Sequence, residues 1–263
     1  MIKELVRKVI RPFGIDIIKY QPVGSGKTIR TNRLTYYKTA TGNYYLPTDA
    51  KSDIVANTII LNKIFEEEVV LVAKKYIKEN SVVLDLGANF GQMSILFSNM
   101  AGEGGTVYSF DADDFVFDVL KKNIAANNKE KNIIPIFGAV DKEDGKTLYF
   151  PVQDFKRFST YGSYGIDTNA KTGRKVRSIT IDSLNISEPI SFMKIDIQGF
   201  DLRAMQGAVK TIEKKRMPIL FEYEYHFEEE YHFNFQEYVD FVKSINYKFE
   251  RVLNGHNFLI LPA

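Results

Sequence analysis

Residues 82–92 read V-V-L-D-L-G-A-N-F-G-Q. The first five of them, Val82–Leu86, are an apolar run with one acid, and this predicts a strand that is buried on both faces. Two glycines follow, and an amphipathic stretch begins at Gly91, so the pattern predicts a strand, a tight turn and a helix in immediate succession. Such units build parallel sheets that are covered by helices.

The same alternation of predicted strands and helices continues as far as residue 221. Apolar runs alternate with amphipathic stretches of helical length, which predicts βαβ units with right-handed crossovers. Near the C-terminus two further apolar runs flank Asn254-Gly255, a pair that favours a hairpin turn. The predicted fold class is therefore α/β, with a mostly parallel sheet and an antiparallel C-terminal hairpin at its edge. The predicted parallel strands are Val82–Leu86, Thr106–Phe110, Ile133–Phe137, Phe192–Ile195 and Pro218–Phe221. The predicted hairpin strands are Tyr247–Val252 and Phe258–Leu261. The predicted helices lie near Asp53–Lys63 and Glu66–Lys78 and at Gly91–Ala101, Phe115–Asn127 and Phe200–Glu213.

Two regions depart from this alternation of strands and helices. Two β-like pieces, Thr147–Phe150 and Val176–Ile181, flank a loop rich in glycine, serine and tyrosine. Residues 1–18 predict a basic amphipathic helix, and a polar, aromatic lead-in arm follows it. We expect this helix to dock on its own domain or on a partner subunit in a homo-oligomer, with peripheral contact to an anionic membrane as the alternative. We therefore divide the chain into an N-terminal arm, residues 1–52, and one α/β domain, residues 53–263.

Composition excludes several classes of protein. The 263 residues are 44% hydrophobic and 26% charged, values that are typical of a folded globular domain. A net charge of +2 is too small to indicate a nucleic-acid partner. The chain has no cysteine, which excludes disulfides, thiolate metal sites and a cysteine nucleophile. No run approaches the roughly 20 apolar residues of a transmembrane helix, so we expect the protein in the cytoplasm.

Two acids follow predicted strands and indicate the cofactor. Asp85 comes just before the glycine turn, where a carboxylate suits a ligand with a positively charged amine. Asp111 ends the next strand, a position at which an acid accepts hydrogen bonds from ribose hydroxyls. The turn does not read G-x-G-x-x-G, so a dinucleotide is disfavoured. A ribose with a cationic amino-acid tail describes S-adenosylmethionine.

From about Asn43 to Glu224 the sequence resembles the FkbM-type methyltransferases, a family of S-adenosylmethionine-dependent O-methyltransferases of polysaccharide and natural-product pathways. The resemblance rests on V-V-L-D-L-G-A-N-F-G-Q, S-F-D-A-D, L-K-K-N-I-A-A-N-N, S-I-T-I-D-S-L, F-M-K-I-D-I-Q-G-F-D-L-R-A-M-Q-G-A and P-I-L-F-E-Y-E. Two positions differ from the family pattern. The chain has Asp111-Ala112 where F-E-P is common, and Gln198 where the family commonly has Glu in K-I-D-x-E-G.

The resemblance implies a Rossmann-like class I methyltransferase fold, with a seven-stranded sheet whose last strand is antiparallel. It also implies where each part of the cofactor lies. The methionine end is expected at the glycine turn, the ribose at Asp111 and the adenine after the third strand. The full set of expected cofactor-binding residues is Asp85, Gly87, Ala88, Asn89, Gly91, Gln92, Asp111, Ala112, Gly138, Ala139 and Val140.

The reacting groups are expected beyond the carboxyl ends of the strands. Lys194, Asp196 and Gln198 alternate, so an extended strand end presents all three on one face. Asp196 is the leading candidate for the general base or substrate anchor, and Lys194 either stabilises a developing alkoxide or only pairs with Asp196. If the extended conformation persists past the fifth strand, Glu222, Glu224 and His226 repeat the same alternation. The predicted catalytic residues are Asp196, Lys194, His226 and Glu222, and the predicted acceptor contacts are Gln198, Glu224, Tyr161 and Ser163.

A metal and a lid are further expectations. Carboxylates that converge from two strand ends are able to bind magnesium, whereas His226 and His232 lack the H-E-x-x-H spacing of a zinc site. The loop of residues 158–165 combines hydroxyls, aromatic rings and glycines, as expected of a lid over a sugar ring.

The predicted reaction is O-methylation of a saccharide, a nucleotide-activated or surface-polysaccharide sugar. The alternatives are a polyketide or lipid hydroxyl as acceptor, a nucleotide-sugar oxidoreductase, and a module that keeps S-adenosylmethionine as a structural ligand.

Overall fold

The computed structural model describes residues 34–48, 53–151, 160–167, 170–231 and 233–263. The predicted N-terminal helix and most of the arm lie outside these residues. Within them the strands are β1 (Leu34–Thr39), β2 (Gly42–Pro47), β3 (Val82–Leu86), β4 (Thr106–Asp111), β5 (Ile133–Phe137), β6 (Ala139–Val140), β7 (Thr147–Phe150), β8 (Arg174–Ile179), β9 (Ile190–Ile195), β10 (Ile219–Glu222), β11 (Tyr247–Leu253) and β12 (Asn257–Pro262). The helices are α1 (Ile54–Ile60), α2 (Glu67–Tyr76), α3 (Gln92–Ala101), α4 (Asp114–Ala126), α5 (Asp201–Gln206), α6 (Val209–Lys215), α7 (Phe227–Tyr231) and α8 (Phe235–Ser244).

Over the described residues, seven strands form the main sheet in the order β11-β12-β10-β9-β3-β4-β5. The pairs from β10 through β9, β3 and β4 to β5 are parallel, and β12 is antiparallel to both of its neighbours, β10 and β11. The α/β class, the five parallel strands and the antiparallel hairpin are thus confirmed, and the fold is the Rossmann-like class I methyltransferase fold.

The main sheet is buried on both faces, which explains its nearly continuous apolar strands. All five residues of β3 are buried. Val83 packs into a core with the helices α2, α3 and α4, whereas Leu84 packs into a second core on the opposite face with α5, α6 and α8. The carboxyl ends of β3, β4, β9 and β10 remain uncovered by these layers and meet at one edge.

A smaller sheet of three strands, in the order β6-β8-β7, contains the two β-like pieces predicted outside the main rhythm. The prediction of a single helix at residues 200–213 is wrong. The structure has two helices there, α5 and α6, and the break between them begins at Gly207. The physical reason is a close backbone contact, since a Cβ at Gly207 would lie 2.1 Å from the carbonyl oxygen of Asp141.

The hairpin β1–β2 belongs to the sequence assigned to the arm, yet it packs on the α/β domain. Asn123 of α4 and Asn127, the residue after α4, accept hydrogen bonds from the backbone amides of Tyr45 and Asn43, at 2.6 and 2.8 Å. The Tyr44 side chain is fully buried in the core with α4. The boundary after residue 52 stays a prediction. Along the described part of the chain, none of the helices has the length and hydropathy needed to cross a membrane.

Candidate active site

A cavity of about 300 Å³ lies at the edge of the main sheet where β3, β4, β9 and β10 end. Its walls come from the turns after these strands, from the start of α2, from the β11–β12 turn and from the loop at residues 160–166. The polar and charged residues that line it are Glu66, Asn89, Gln92, Asp111, Asp113, Thr160, Ser163, Lys194, Asp196, Gln198, Glu222, Glu224 and His256.

The glycine turn after β3 forms one wall. Gly87 and Ala88 donate backbone hydrogen bonds to the carbonyl of Phe110, at 3.1 and 2.8 Å. Gly87 has a φ of +84°, and a Cβ there would lie 1.8 Å from the carbonyl oxygen of Asp196. The glycine is therefore required by the contact between the turns after β3 and β9, and this contact joins the two halves of the site.

Asp111 lies on the same wall, at the end of β4. Its two carboxylate oxygens accept hydrogen bonds from the backbone amides of Asn89 and Asp113, at 3.0 and 2.9 Å. Burial and the nearby charge of Asp113 raise the pKa of Asp111 to about 8, although the two backbone hydrogen bonds oppose this rise. The carboxyl group is held rigidly beside the cavity, where it is able to exchange hydrogen bonds with hydroxyl groups of a ligand.

Most of the residues predicted to bind the cofactor line this cavity. They are Gly87, Ala88, Asn89, Gln92, Asp111, Ala112, Gly138, Ala139 and Val140. Gln92 is also engaged elsewhere, because its side-chain amide contacts the backbone of Lys63 and Phe65 at 2.9 Å each. Gly91, with a φ of +87°, is the N-cap of α3.

Asp85 is placed differently from the sequence prediction. Its side chain is completely buried beneath the cavity. One carboxylate oxygen accepts a 2.5 Å hydrogen bond from Ser94, and the other lies 3.8 Å from Nζ of Lys194. Burial raises the pKa of Asp85, and Lys194 opposes this rise. The carboxylate supports the buried lysine and does not face the cavity.

The opposite wall begins with the predicted trio at the end of β9. Lys194 is 3% exposed, and its Nζ donates hydrogen bonds to the Gly87 carbonyl at 3.0 Å and to Asp196 at 3.1 Å. Burial lowers the pKa of Lys194, but the surrounding carboxylates more than offset this and hold the pKa above its usual value. Burial raises the pKa of Asp196, and the charge of Lys194 outweighs it, so the pKa of Asp196 is lowered. The two groups are a buried ion pair.

Gln198 links Asp196 to β10. Its Nε2 donates to Asp196 at 2.9 Å and to Glu222 at 3.1 Å. Burial, followed by the charge of Asp196, raises the pKa of Glu222 well above its usual value. The two carboxyl groups and the amide thus form one hydrogen-bonded group at the cavity, an arrangement that is able to bind a hydroxyl group and to accept its proton.

The extended conformation predicted past the fifth strand is wrong. β10 ends at Glu222, and the following residues turn into α7. Glu224 still lines the cavity, but His226 lies outside it, with its side chain 59% exposed and 3.5 Å from Glu224. The alternation fails because the chain leaves the sheet at the end of β10, so successive side chains no longer share a face.

The sequence analysis missed two residues of this wall, Glu66 and His256. Glu66 precedes α2 and adopts a left-handed φ of 48°. His256 lies in the β11–β12 turn, and its Nε2 is 3.4 Å from Glu66 and 3.9 Å from Glu222. The predicted hairpin contains His256, but only the pairing of β12 with β10, which sets Asn257 opposite Glu222, brings this histidine to the cavity.

The loop predicted as a lid is described from residue 160. Tyr161 starts a 3-10 helix, Tyr161–Ser163, and its ring is 5% exposed because it packs on Phe90 and Phe115. Its backbone amide donates a 2.7 Å hydrogen bond to Asp53. Ser163 lines the cavity. The ring packing and the hydrogen bond to Asp53 thus hold Tyr161 in the core. Its contact with an acceptor stays a prediction.

Comparisons with known proteins agree with this architecture. The family model described as the methyltransferase FkbM domain matches residues 85–249. No curated protein matches the chain.

Three solved structures illustrate the likeness. A methyltransferase FkbM from Methylobacillus flagellatus KT is 13% identical, with 73% of this chain and 49% of that chain covered and a TM-score of 0.45. A precorrin-6y C5,15-methyltransferase from Geobacter metallireducens GS-15 is 12% identical, with 75% of this chain and 89% of that chain covered and a TM-score of 0.43. A SAM-dependent methyltransferase from Aquifex aeolicus is 16% identical, with 82% of this chain and 96% of that chain covered and a TM-score of 0.42.

Proposed function

Because this chain belongs to the FkbM methyltransferase family and is a SAM-type methyltransferase, we propose that it transfers a methyl group from S-adenosylmethionine to a hydroxyl group of a sugar. The sugar is a nucleotide-activated sugar or part of a surface polysaccharide. The observation that carries this proposal is one continuous cavity with two different walls. One wall has the glycine turn and Asp111, and the other has the hydrogen-bonded group of Asp196, Gln198 and Glu222.

We assign the cofactor to the first wall. Asp111 exchanges hydrogen bonds with the ribose hydroxyls, and the exposed backbone of Gly87 to Asn89 contacts the methionine end. The adenine lies against Gly138, Ala139 and Val140 by backbone and apolar contact. Asp85 acts indirectly, because it fixes Lys194 beneath the turn.

We assign the acceptor to the second wall. The hydroxyl oxygen attacks the methyl carbon in line with the carbon–sulfur bond, so an oxygen–carbon bond forms while the carbon–sulfur bond breaks and its electron pair goes to sulfur. The products are the methyl ether and S-adenosylhomocysteine, and the hydroxyl proton passes to the carboxylate of Asp196. Positioning supplies most of the acceleration, and a base in contact with the hydroxyl adds about 10²–10⁴-fold.

The charge of the lining favours a neutral, hydroxyl-rich group over a phosphodiester. Among the described residues that line the acceptor wall there are four carboxyl groups, Glu66, Asp196, Glu222 and Glu224, and one lysine, Lys194. A phosphate placed on this wall would be repelled, whereas hydroxyls donate hydrogen bonds to carboxylates. The phosphates of a nucleotide-activated sugar would therefore lie toward the mouth of the cavity, with the sugar ring inward.

A mass-resolved transfer assay tests the proposal. Full-length protein and S-adenosylmethionine with an isotope-labelled methyl group are mixed with a panel of nucleotide sugars, and binding of the cofactor is measured separately by calorimetry. We expect the label on the sugar fragment of at least one panel member. Cofactor binding without any transfer would overturn the assignment to nucleotide sugars, and label on a lipid or polyketide hydroxyl would overturn the assignment to sugars.

A further inference from the structure

We propose that Glu66, Glu222 and His256 bind one divalent transition-metal ion at the acceptor wall of the cavity. The three residues come from distant parts of the chain: the start of α2, the end of β10 and the β11–β12 turn. One carboxylate oxygen from each glutamate and one imidazole nitrogen lie within 4.8 Å of one another. All three residues line the cavity, so an ion held between them would be in contact with a ligand.

The distances are close to those of a bound ion. Nε2 of His256 lies 3.4 Å from Oε1 of Glu66 and 3.9 Å from Oε1 of Glu222. Ligand atoms about 2.0–2.2 Å from a common tetrahedral ion are separated by roughly 3.4 Å. The ligand oxygens of the two glutamates are at most 4.8 Å apart, so side-chain movements of about 1.4 Å or less would complete the site.

Neighbouring amides orient the two carboxylates, as is usual around metal ligands. Asn257 donates to Oε1 of Glu66 at 3.0 Å, and Gln198 donates to Oε2 of Glu222 at 3.1 Å, which turns the other oxygen of Glu222 toward His256. Asn257 is 1% exposed, and in the described part of the structure its buried Oδ1 has no hydrogen-bond partner. This unpaired acceptor belongs to the same amide group that holds Glu66 in place.

The balance of formal charge also favours a cation. Within the described residues, Asp85, Asp196 and Glu66 act on one permanent cation, Lys194, and Glu222 is linked to Asp196 through Gln198. Buried carboxylates are costly unless they are paired or coordinate a metal. Lys194 already contacts Asp196 and Asp85, which leaves the two glutamates on the His256 side for a second cation.

The donor set selects the kind of ion. Imidazole suits zinc, iron, cobalt or nickel, whereas magnesium prefers an all-oxygen octahedron. His256 therefore favours a transition metal over the magnesium expected from the sequence. The zinc site rejected there was a helical H-E-x-x-H pair, but these ligands come from three elements and do not need that motif.

The role of the ion rests on the proposed function, although its binding does not. Three protein ligands leave a coordination position open, as in catalytic metal sites. Glu222 is hydrogen-bonded to Gln198, which also contacts Asp196, so an ion on Glu222 would be next to the groups to which the acceptor hydroxyl is assigned. The ion would hold the hydroxyl oxygen there and lower its pKa before methyl transfer.

Titration of the untagged, full-length protein with Co²⁺ tests the site, because the visible absorption of bound Co²⁺ reports its coordination. We expect one saturable equivalent, displaced by Zn²⁺ and not by Mg²⁺. His256→Ala and Glu66→Gln should each weaken binding at least about 10-fold, and His226→Ala, a matched loss of a histidine outside the cluster, should leave it unchanged. Thermal unfolding verifies that each variant is folded. Absence of saturable binding, or equal losses in the His226 and His256 variants, would overturn the proposal.

Two further readouts separate this proposal from the proposed function. Cofactor binding and label transfer are measured on the same preparations with Zn²⁺ and with a chelator. Saturable Co²⁺ binding that depends on His256, without transfer to any sugar, supports the metal site and counts against sugar methylation. Transfer that is equal with the ion and with the chelator would overturn the proposed role of the ion and leave sugar methylation intact.

Discussion

The two walls of the cavity are built in different ways. The cofactor wall, residues 87–92 with Asp111, is held mainly by backbone hydrogen bonds within one strand–turn–helix unit and its neighbour. The acceptor wall, consisting of Lys194, Asp196, Gln198, Glu222, Glu66 and His256, is held by side-chain contacts among buried charged groups. The first is a property of local sequence, whereas the second exists only after distant elements have assembled. Changes in the two walls should therefore separate binding of the cofactor from transfer of its methyl group.

Gly87→Ala should have the largest effect, because it disrupts the contact between the turns after β3 and β9, which joins the two walls. The added Cβ would lie 1.8 Å from the Asp196 carbonyl oxygen, a backbone atom that has no room to yield. We expect a loss of more than about 4 kcal/mol in the free energy of unfolding, measured by urea denaturation.

Gly102→Ala is the matched control. Gly102 also has a positive φ, +73°, but a Cβ there meets nothing within 4 Å. Its cost should be the backbone strain alone, about 1–3 kcal/mol, because its φ of 73° and ψ of -175° are essentially restricted to glycine. Equal losses in the two variants would contradict the proposed contact between the turns.

Asp196→Asn should separate the walls most clearly by activity. The change keeps the shape of the side chain but removes the charge that accepts the proton, and it leaves one oxygen instead of two to accept hydrogen bonds from Lys194 and Gln198. We expect the rate of methyl transfer to fall about 10²–10⁴-fold, with the dissociation constant of S-adenosylmethionine within a few-fold of the original. The measurements are single-turnover transfer and calorimetry. A comparable loss of cofactor affinity would contradict the assignment of Asp196 to the acceptor wall.

Asp111→Asn should produce the opposite pattern. The amide keeps the size of the side chain but replaces one acceptor oxygen with an NH2 group, so a hydrogen bond to the ribose is lost and a buried partner is left unpaired, at a cost of about 1–3 kcal/mol. We expect the affinity for S-adenosylmethionine to fall about 10–100-fold, while the rate at saturating cofactor changes little. A variant that binds normally and transfers slowly would contradict the assignment of the ribose.

Per pH unit, the change of stability with pH is the smallest expected difference. The folded pKa of Asp111 is about 8, above its ordinary value of 3.8, so the folded protein binds a proton that the unfolded chain releases. This contribution is fully present below about pH 4 and is lost as the pH rises toward 8. Asp111→Asn should remove a slope of at most about 1.4 kcal/mol per pH unit. Identical slopes for the two proteins in urea denaturation at pH 5 to 8 would contradict this.

The cofactor wall was largely predictable from the sequence. The apolar run of β3, its two glycines and the acid at the end of β4 are local signals that tertiary packing did not override. Asp85 is the exception, since a sequence pattern places it next to the turn but does not reveal that its side chain points beneath the cavity at Lys194.

The acceptor wall was predictable only in part. The alternation of Lys194, Asp196 and Gln198 holds because β9 remains extended, whereas the same reasoning fails at His226 because the chain leaves the sheet after Glu222. Glu66 and His256 carry no local signal, and their proximity depends on the insertion of β12 between β10 and β11. Sequence separation, and not residue type, determined which functional residues were missed.

A crystal structure of the protein with S-adenosylhomocysteine tests the division between the walls most directly. We expect the ribose hydroxyls within hydrogen-bond distance of the Asp111 carboxyl group, with the sulfur directed across the cavity at Asp196 and Gln198. A ribose bound away from Asp111, or a sulfur directed away from the acceptor wall, would contradict the account.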